Sequence, residues 1–134
     1  MKRCLTVFAV FAAVLALAAC IGLPYAPVKY SDGIMTGANG MTVYTFDKDL
    51  AGAGKSVCNG PCAANWPPFT ASADDKTGGD WSVITRDDGA KQWAYSGKPL
   101  YFWSKDQKPG DKTGDGFNNA WRVVKHVVAP PISR

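Results

Sequence analysis

Val43-Tyr44-Thr45-Phe46-Asp47-Lys48-Asp49 and Leu100-Tyr101-Phe102-Trp103-Ser104-Lys105-Asp106 are two copies of one pattern, 57 positions apart. Both read apolar-Tyr-x-aromatic-x-Lys-Asp. Each follows a glycine turn and precedes a glycine-rich loop. Alternate residues of a strand share a face. Tyr44 and Phe46 therefore share one, as do Tyr101 and Trp103, and Asp49 and Asp106 fall just past the strand ends. There a carboxylate accepts backbone N–H bonds and ties down the following loop. A tyrosine turned into a core also needs a partner for its hydroxyl. The repeat predicts two related β units packed together rather than an open solenoid. The rival reading of the six motif residues Tyr44, Phe46, Asp49, Tyr101, Trp103 and Asp106 is a polar ligand pocket holding both aspartates.

Outward from these copies, the chain keeps reading as strands and turns. Val28–Met35 alternates loosely, and Asn39-Gly40 is a turn signal before Met41–Phe46, so a hairpin is expected there. Asp47–Val57 is a polar loop. Pro61–Trp66 suits one helical turn, stopped by Pro67-Pro68. Trp81–Thr85 and Lys91–Tyr95 read as strands around Asp87-Asp88-Gly89. Ser96-Gly97-Lys98-Pro99 turns the chain, Leu100–Trp103 is a strand, and Lys105–Asn119 is a long Asp/Gly loop. Trp121–Val128 reads as a final strand. All 11 acidic residues are Asp, a turn former, and none is Glu, a helix former. With 14 Gly, 9 Pro and many aromatics, the composition predicts an all-β, antiparallel, sandwich-like domain with little helix.

The N-terminus reads as an export signal. Lys2 and Arg3 give a positive start, and Leu5–Leu17 is apolar but shorter than the roughly 20 residues that span a bilayer. The ending Leu17-Ala18-Ala19-Cys20 resembles the lipobox of bacterial lipoproteins. That resemblance implies diacylglycerol transfer to Cys20, cleavage before it, and acylation of the new amine. Two or more chains anchor stably. Ile21, rather than Asp, leans by the same resemblance towards an outer membrane, facing the periplasm. The expected organisation is a signal peptide over 1–19, a tether over 20–27, a β domain over 28–128 and a tail over 129–134.

The 115 residues from Cys20 onward suit one small domain. Lys2 and Arg3 supply two of the +4 net charge, so the exported part is near +2, with no basic run. Nucleic acid is not an expected partner. With Cys20 lipidated, Cys58 and Cys62 remain as an even pair. Export makes a Cys58–Cys62 disulfide the expectation, fixing the shape of Cys58-Asn59-Gly60-Pro61-Cys62.

Further residues complete a known pattern. The doubled Tyr-x-(Phe/Trp/Tyr)-x-x-Asp motif is joined by Gly54-Lys55-Ser56-Val57-Cys58-Asn59-Gly60-Pro61-Cys62 and Trp66-Pro67-Pro68. Arg86-Asp87-Asp88-Gly89, Gln92–Tyr101 and Pro109-Gly110-Asp111 follow in order. Over about residues 28 to 125 the chain resembles the secreted-repeat bacterial lipoproteins, a family to which no reaction is assigned. The resemblance implies location and domain type, and supplies no chemistry.

Cys58 and Cys62 have three residues between them, not the Cys-x-x-Cys at a helix start that lowers a thiol pKa. His126 with Met35 or Met41 gives no metal-ligand spacing, and His126 is expected on the polar face of its strand. Asp106, Asp111 and Asp115, with Asn118 and Asn119, offer hard oxygens suited to calcium. Their spacing matches no EF-hand and lysines are interleaved, so a solvated loop is expected instead. No Ser-His-Asp set is readable, and no aspartate pair is marked for glycoside hydrolysis. The expectation is a non-enzymatic envelope lipoprotein without cofactor or metal, meeting the membrane through its lipid and binding a small ligand or an envelope protein. The alternatives are an accessory protein of envelope redox or metal (copper or haem) handling, and a structural surface protein.

Overall fold

The computed structural model describes residues 26–126. The signal peptide, Cys20, most of the tether and the tail lie outside the described residues. Ala26, assigned to the tether, is buried and belongs to the core.

The first unit opens with β1 (Val28–Ser31) antiparallel to β2 (Ile34–Gly37). The single strand expected over Val28–Met35 is therefore divided. Asp32 (φ 51°) and Gly33 (φ 75°) turn the chain between the paired Ser31 and Ile34. Two successive positive φ values are what a tight type I′ hairpin needs, and Asp-Gly meets that demand. Asn39-Gly40 turns the chain as well, since Thr36 bridges Thr42 across it. The expected hairpin is thus preceded by a second one. β3 (Tyr44–Phe46) follows.

In the second unit, β4 (Trp81–Thr85) and β5 (Lys91–Tyr95) pair around Asp87-Asp88-Gly89, as the sequence predicts. β6 (Lys98–Pro99) folds back on β5. The ladder stops at Pro99, so the strand expected over Leu100–Trp103 is replaced by single bridges. The Leu100 amide donates to the Trp93 carbonyl (2.9 Å), and Tyr101 bridges Tyr44 and Pro68. β7 (Trp121–Val123) pairs with β3 and is shorter than the expected strand to Val128. Lys125 then bridges Ile34, while Val127 and Val128 lie outside the described residues. Among the described residues, helix is confined to α1 (Pro61–Asn65), which starts on a proline as a first turn permits and ends before Pro67-Pro68, and to a 3-10 turn at Phe117–Asn119. The fold is all-β and antiparallel.

The hydrogen bonds reveal a pseudo-twofold axis. The Tyr44 amide donates to the Tyr101 carbonyl (2.8 Å), and the Tyr101 amide donates back to Tyr44 (2.9 Å). Asp47 donates to Ala120 (2.7 Å) as Ser104 donates to Asn65 (3.0 Å). Met35 donates to Val124 (2.8 Å) as Trp93 donates to Phe69 (2.8 Å). The end of each unit is thus exchanged: residues 121–125 add to the first unit, and residues 67–70 add to the second. One core cluster holds the equivalent pairs Met35/Trp93 and Val43/Leu100, together with Phe69. The other is centred on the axis and holds Tyr44/Tyr101, Phe46/Trp103 and Trp66/Trp121.

Candidate functional site

The motif tyrosines and aspartates meet across the axis rather than within their own copies. The Tyr44 hydroxyl donates to Asp106 Oδ2 at 2.7 Å, and the Tyr101 hydroxyl donates to Asp49 Oδ2 at 2.5 Å. A carboxylate only accepts, so Ser56 Oγ, 2.5 Å from the Tyr101 oxygen, is itself the donor to it. The second carboxylate oxygens hold the loops that follow. Asp49 Oδ1 accepts from the Val57 amide (2.7 Å). Asp106 Oδ1 accepts from the Thr113 amide (3.0 Å) and the Thr113 hydroxyl (2.6 Å). Both aspartates are buried, so Asp106 is not the solvated loop residue the sequence suggested. Burial, and then the facing carboxylate, push both tyrosine hydroxyls well above their ordinary pKa. Among the described residues every buried side-chain nitrogen or oxygen has a hydrogen-bond partner. The four polar motif residues Tyr44, Asp49, Tyr101 and Asp106 therefore form two satisfied locks, with no buried polar atom left over for a ligand.

The aromatic motif residues build something else. Phe46, Trp121, Trp66 and Trp103 form one continuous stack. Successive centroids lie 4.2, 3.7 and 4.0 Å apart, with interplanar angles of 15°, 2° and 26°. The central pair, Trp66 and Trp121, are equivalent residues facing each other across the axis. Packed aromatic pairs add roughly 0.5–1.5 kcal/mol each beyond area burial.

A cleft of about 290 Å³ opens at this end of the axis, with Phe46, Trp66 and Trp121 as its floor. Its two sides differ. The first repeat contributes Lys48, Cys62 and Asn65, and the second contributes Phe117, Asn118 and Ala120. Phe117 is 39% exposed and packs at 4.8 Å on Trp103. Asn118 is held in the left-handed region at φ 50°. Cys62 lies at disulfide distance from Cys58 (S–S 2.09 Å) and carries that closed loop into the cleft wall.

Sequence reasoning did not single out the residue that braces this loop. Arg86 is 4% exposed and donates to Gln92 Oε1 (2.7 Å), Asn59 Oδ1 (3.3 Å) and the Cys58 carbonyl. A buried guanidinium needs several acceptors held in place, and nothing in Arg86-Asp87-Asp88-Gly89 announces them. The Trp66/Trp121 pair had a readable signal, since each lies at the same place in its unit. His126 is exposed, as expected, with its ring 4.6 Å from Tyr30. Met35 is buried in the second core cluster. Asp111 accepts from the Gln107 and Lys108 amides (3.0 and 3.2 Å), which lowers its pKa.

This geometry defines a duplicated β domain whose two repeats interlock around a shared aromatic stack. The chain belongs to the family described as a secreted repeat of unknown function, which it matches over residues 27–70 and again over 82–125. The two matched stretches are the two interlocked units. No curated protein and no solved structure matches the chain. A secreted-repeat family points to an extracellular or envelope location.

Proposed function

We propose that this protein is a non-enzymatic binding module of the cell envelope, tethered by lipid on Cys20, with the cleft on the pseudo-twofold axis as its ligand site. The observation that carries the reading is the cleft itself. There the repeats present different side chains over one shared aromatic floor. The buried titratable residues do not compete for the role, because the Tyr–Asp locks are internally satisfied. A ligand that binds only the folded state raises its melting temperature. Thermal melts of the full-length protein against a set of small ring compounds should show such a rise, and Phe117→Ala should remove it. A rise that persists unchanged in Phe117→Ala would place binding elsewhere. Cys20→Ser should release the protein from the membrane fraction and abolish labelling with a fatty-acid analogue. For the rival redox or metal reading, metal content or a visible absorption band in the purified protein would be the deciding observation.

A further inference from the structure

Resting on that reading, we infer that the cleft takes a small planar anion, in chemical class an aromatic carboxylate. The two repeats give the site a direction. From one side the aromatic wall is Phe117, over a floor that includes the stacked Trp66 and Trp121. A flat ring suits such a wall, since aromatic groups pair edge-to-face or offset with centroids about 4.5–7 Å apart. From the other side the charged group is Lys48. Among the described residues its ammonium makes no ion pair and no hydrogen bond, and no carboxylate lines the cleft. The pseudo-equivalent Lys105 does not line it, so the charge is single and off the axis.

Two amides complete the rim. The Asn118 side chain makes no hydrogen bond among the described residues. Its neighbour Asn119 is engaged, accepting from Arg122 at 3.1 Å. Asn65 donates to the Pro61 carbonyl (3.2 Å), which leaves its amide oxygen as an acceptor at the rim. The volume, about 290 Å³, is at the lower end of small-molecule sites and matches one or two rings rather than a chain. Lys48 is exposed, and an unpaired ammonium recognises a carboxylate by a charge-assisted hydrogen bond. The Asn118 amide can serve either a ring hydroxyl or the second carboxylate oxygen.

The test titrates the full-length protein in detergent with 4-hydroxybenzoate and with its neutral amide, 4-hydroxybenzamide, by calorimetry. The acid should bind more tightly. Lys48→Met should weaken the acid about tenfold, the loss of one charge-assisted contact, and leave the amide unchanged. Phe117→Ala should weaken both. Near-ultraviolet circular dichroism of each variant, which reports the indole stack, checks that the core is intact. If acid and amide bind equally and Lys48→Met changes neither, the anion assignment is overturned while the cleft stands as a ligand site. If neither compound binds the wild-type protein at millimolar concentration, the aromatic-carboxylate assignment is overturned, while the thermal melts against other ring compounds decide separately whether the cleft is a ligand site.

Discussion

The two halves of the molecule carry the same lock but close it by different means. In both, a tyrosine reaches across the axis to the aspartate of the other copy, and that aspartate holds the next loop by backbone amides. After Asp49 the loop is finished by the Cys58–Cys62 bridge, by Ser56 on the Tyr101 hydroxyl and by buried Arg86 on the Cys58 carbonyl. After Asp106 there is no bridge. Thr113 donates twice to the carboxylate, the Gly114 amide reaches the Tyr44 oxygen (3.3 Å), and Asp115 accepts from the Val123 amide (3.1 Å). One half uses a covalent closure and a buried cation, the other a denser set of hydrogen bonds. The shared part is what interlocks the repeats, and the divergent part is what shapes the two sides of the cleft.

The comparison breaks most sharply at the aspartates. Asp106→Ala should cost about 3 kcal/mol or more in denaturant unfolding, because it strands a buried tyrosine hydroxyl and both Thr113 donors at once. Asp49→Ala should cost somewhat less, since fewer donors converge on it. Equal and negligible losses would show that the locks are incidental to folding. Next, Cys58→Ser with Cys62→Ser should cost about 2 kcal/mol, the loop-entropy value for so short a ring. Because Cys62 lines the cleft, the double variant should also weaken ligand binding, whereas a lock variant that still folds should not. A double variant that melts with the wild type would mean that Arg86 alone holds this loop.

Much of this plan was legible in the sequence, and what was not has physical causes. The repeat, the strands flanking Asp87-Asp88-Gly89 and the loop-tying role of Asp49 and Asp106 follow from local spacing and turn chemistry. The exchange did not follow, because spacing says that Tyr44 needs a partner without saying which copy supplies it. Asp32-Gly33 was a readable turn signal masked by the apolar residues on either side. Leu100–Trp103 has strand composition throughout, but the twofold arrangement gives it a partner only one or two residues at a time. Gly97 is a further case. A Cβ there would lie 2.5 Å from the Gly52 amide nitrogen, a contact between the two units that no local pattern encodes. The cleft was least legible, since it draws on three separate segments of the chain.

The locks can be compared more gently by removing one hydroxyl. Tyr44→Phe and Tyr101→Phe should each cost about 1.5–2 kcal/mol, the value of a hydrogen bond to a charged group. Alkali makes the same point without mutation. Both hydroxyls titrate in the folded state above their ordinary pKa of 10.0. Between that value and the raised one, the folded protein holds protons the unfolded chain has released. Their contribution is fully present below pH 10.0 and is lost as pH rises beyond it. Phenolate absorbance should therefore rise in two stages, with Tyr44 and Tyr101 appearing only with unfolding. A single early rise accounting for every tyrosine would contradict the buried locks.

The smallest effect is expected where the repeats already supply the control. Asp47 and Arg122 form an exposed ion pair at 3.2 Å. Their counterparts in the other half are Ser104 and Pro67, which carry the same backbone bonds without charge: Ser104 donates to Asn65 and Phe102 to Pro67. Because one half holds its strand pairing with no pair at this position, the pair is not required for that pairing. Exposed pairs contribute roughly 0–1 kcal/mol and are screened by salt. Asp47→Asn should shift unfolding by less than about 1 kcal/mol at low salt, and the shift should vanish at high salt. A larger, salt-independent loss would mean that Arg122, which also reaches the Asn119 carbonyl at 3.1 Å, fixes the 3-10 turn beside the cleft. In that case the divergent half depends on this pair for its shape, and Asp47→Asn should weaken ligand binding as well.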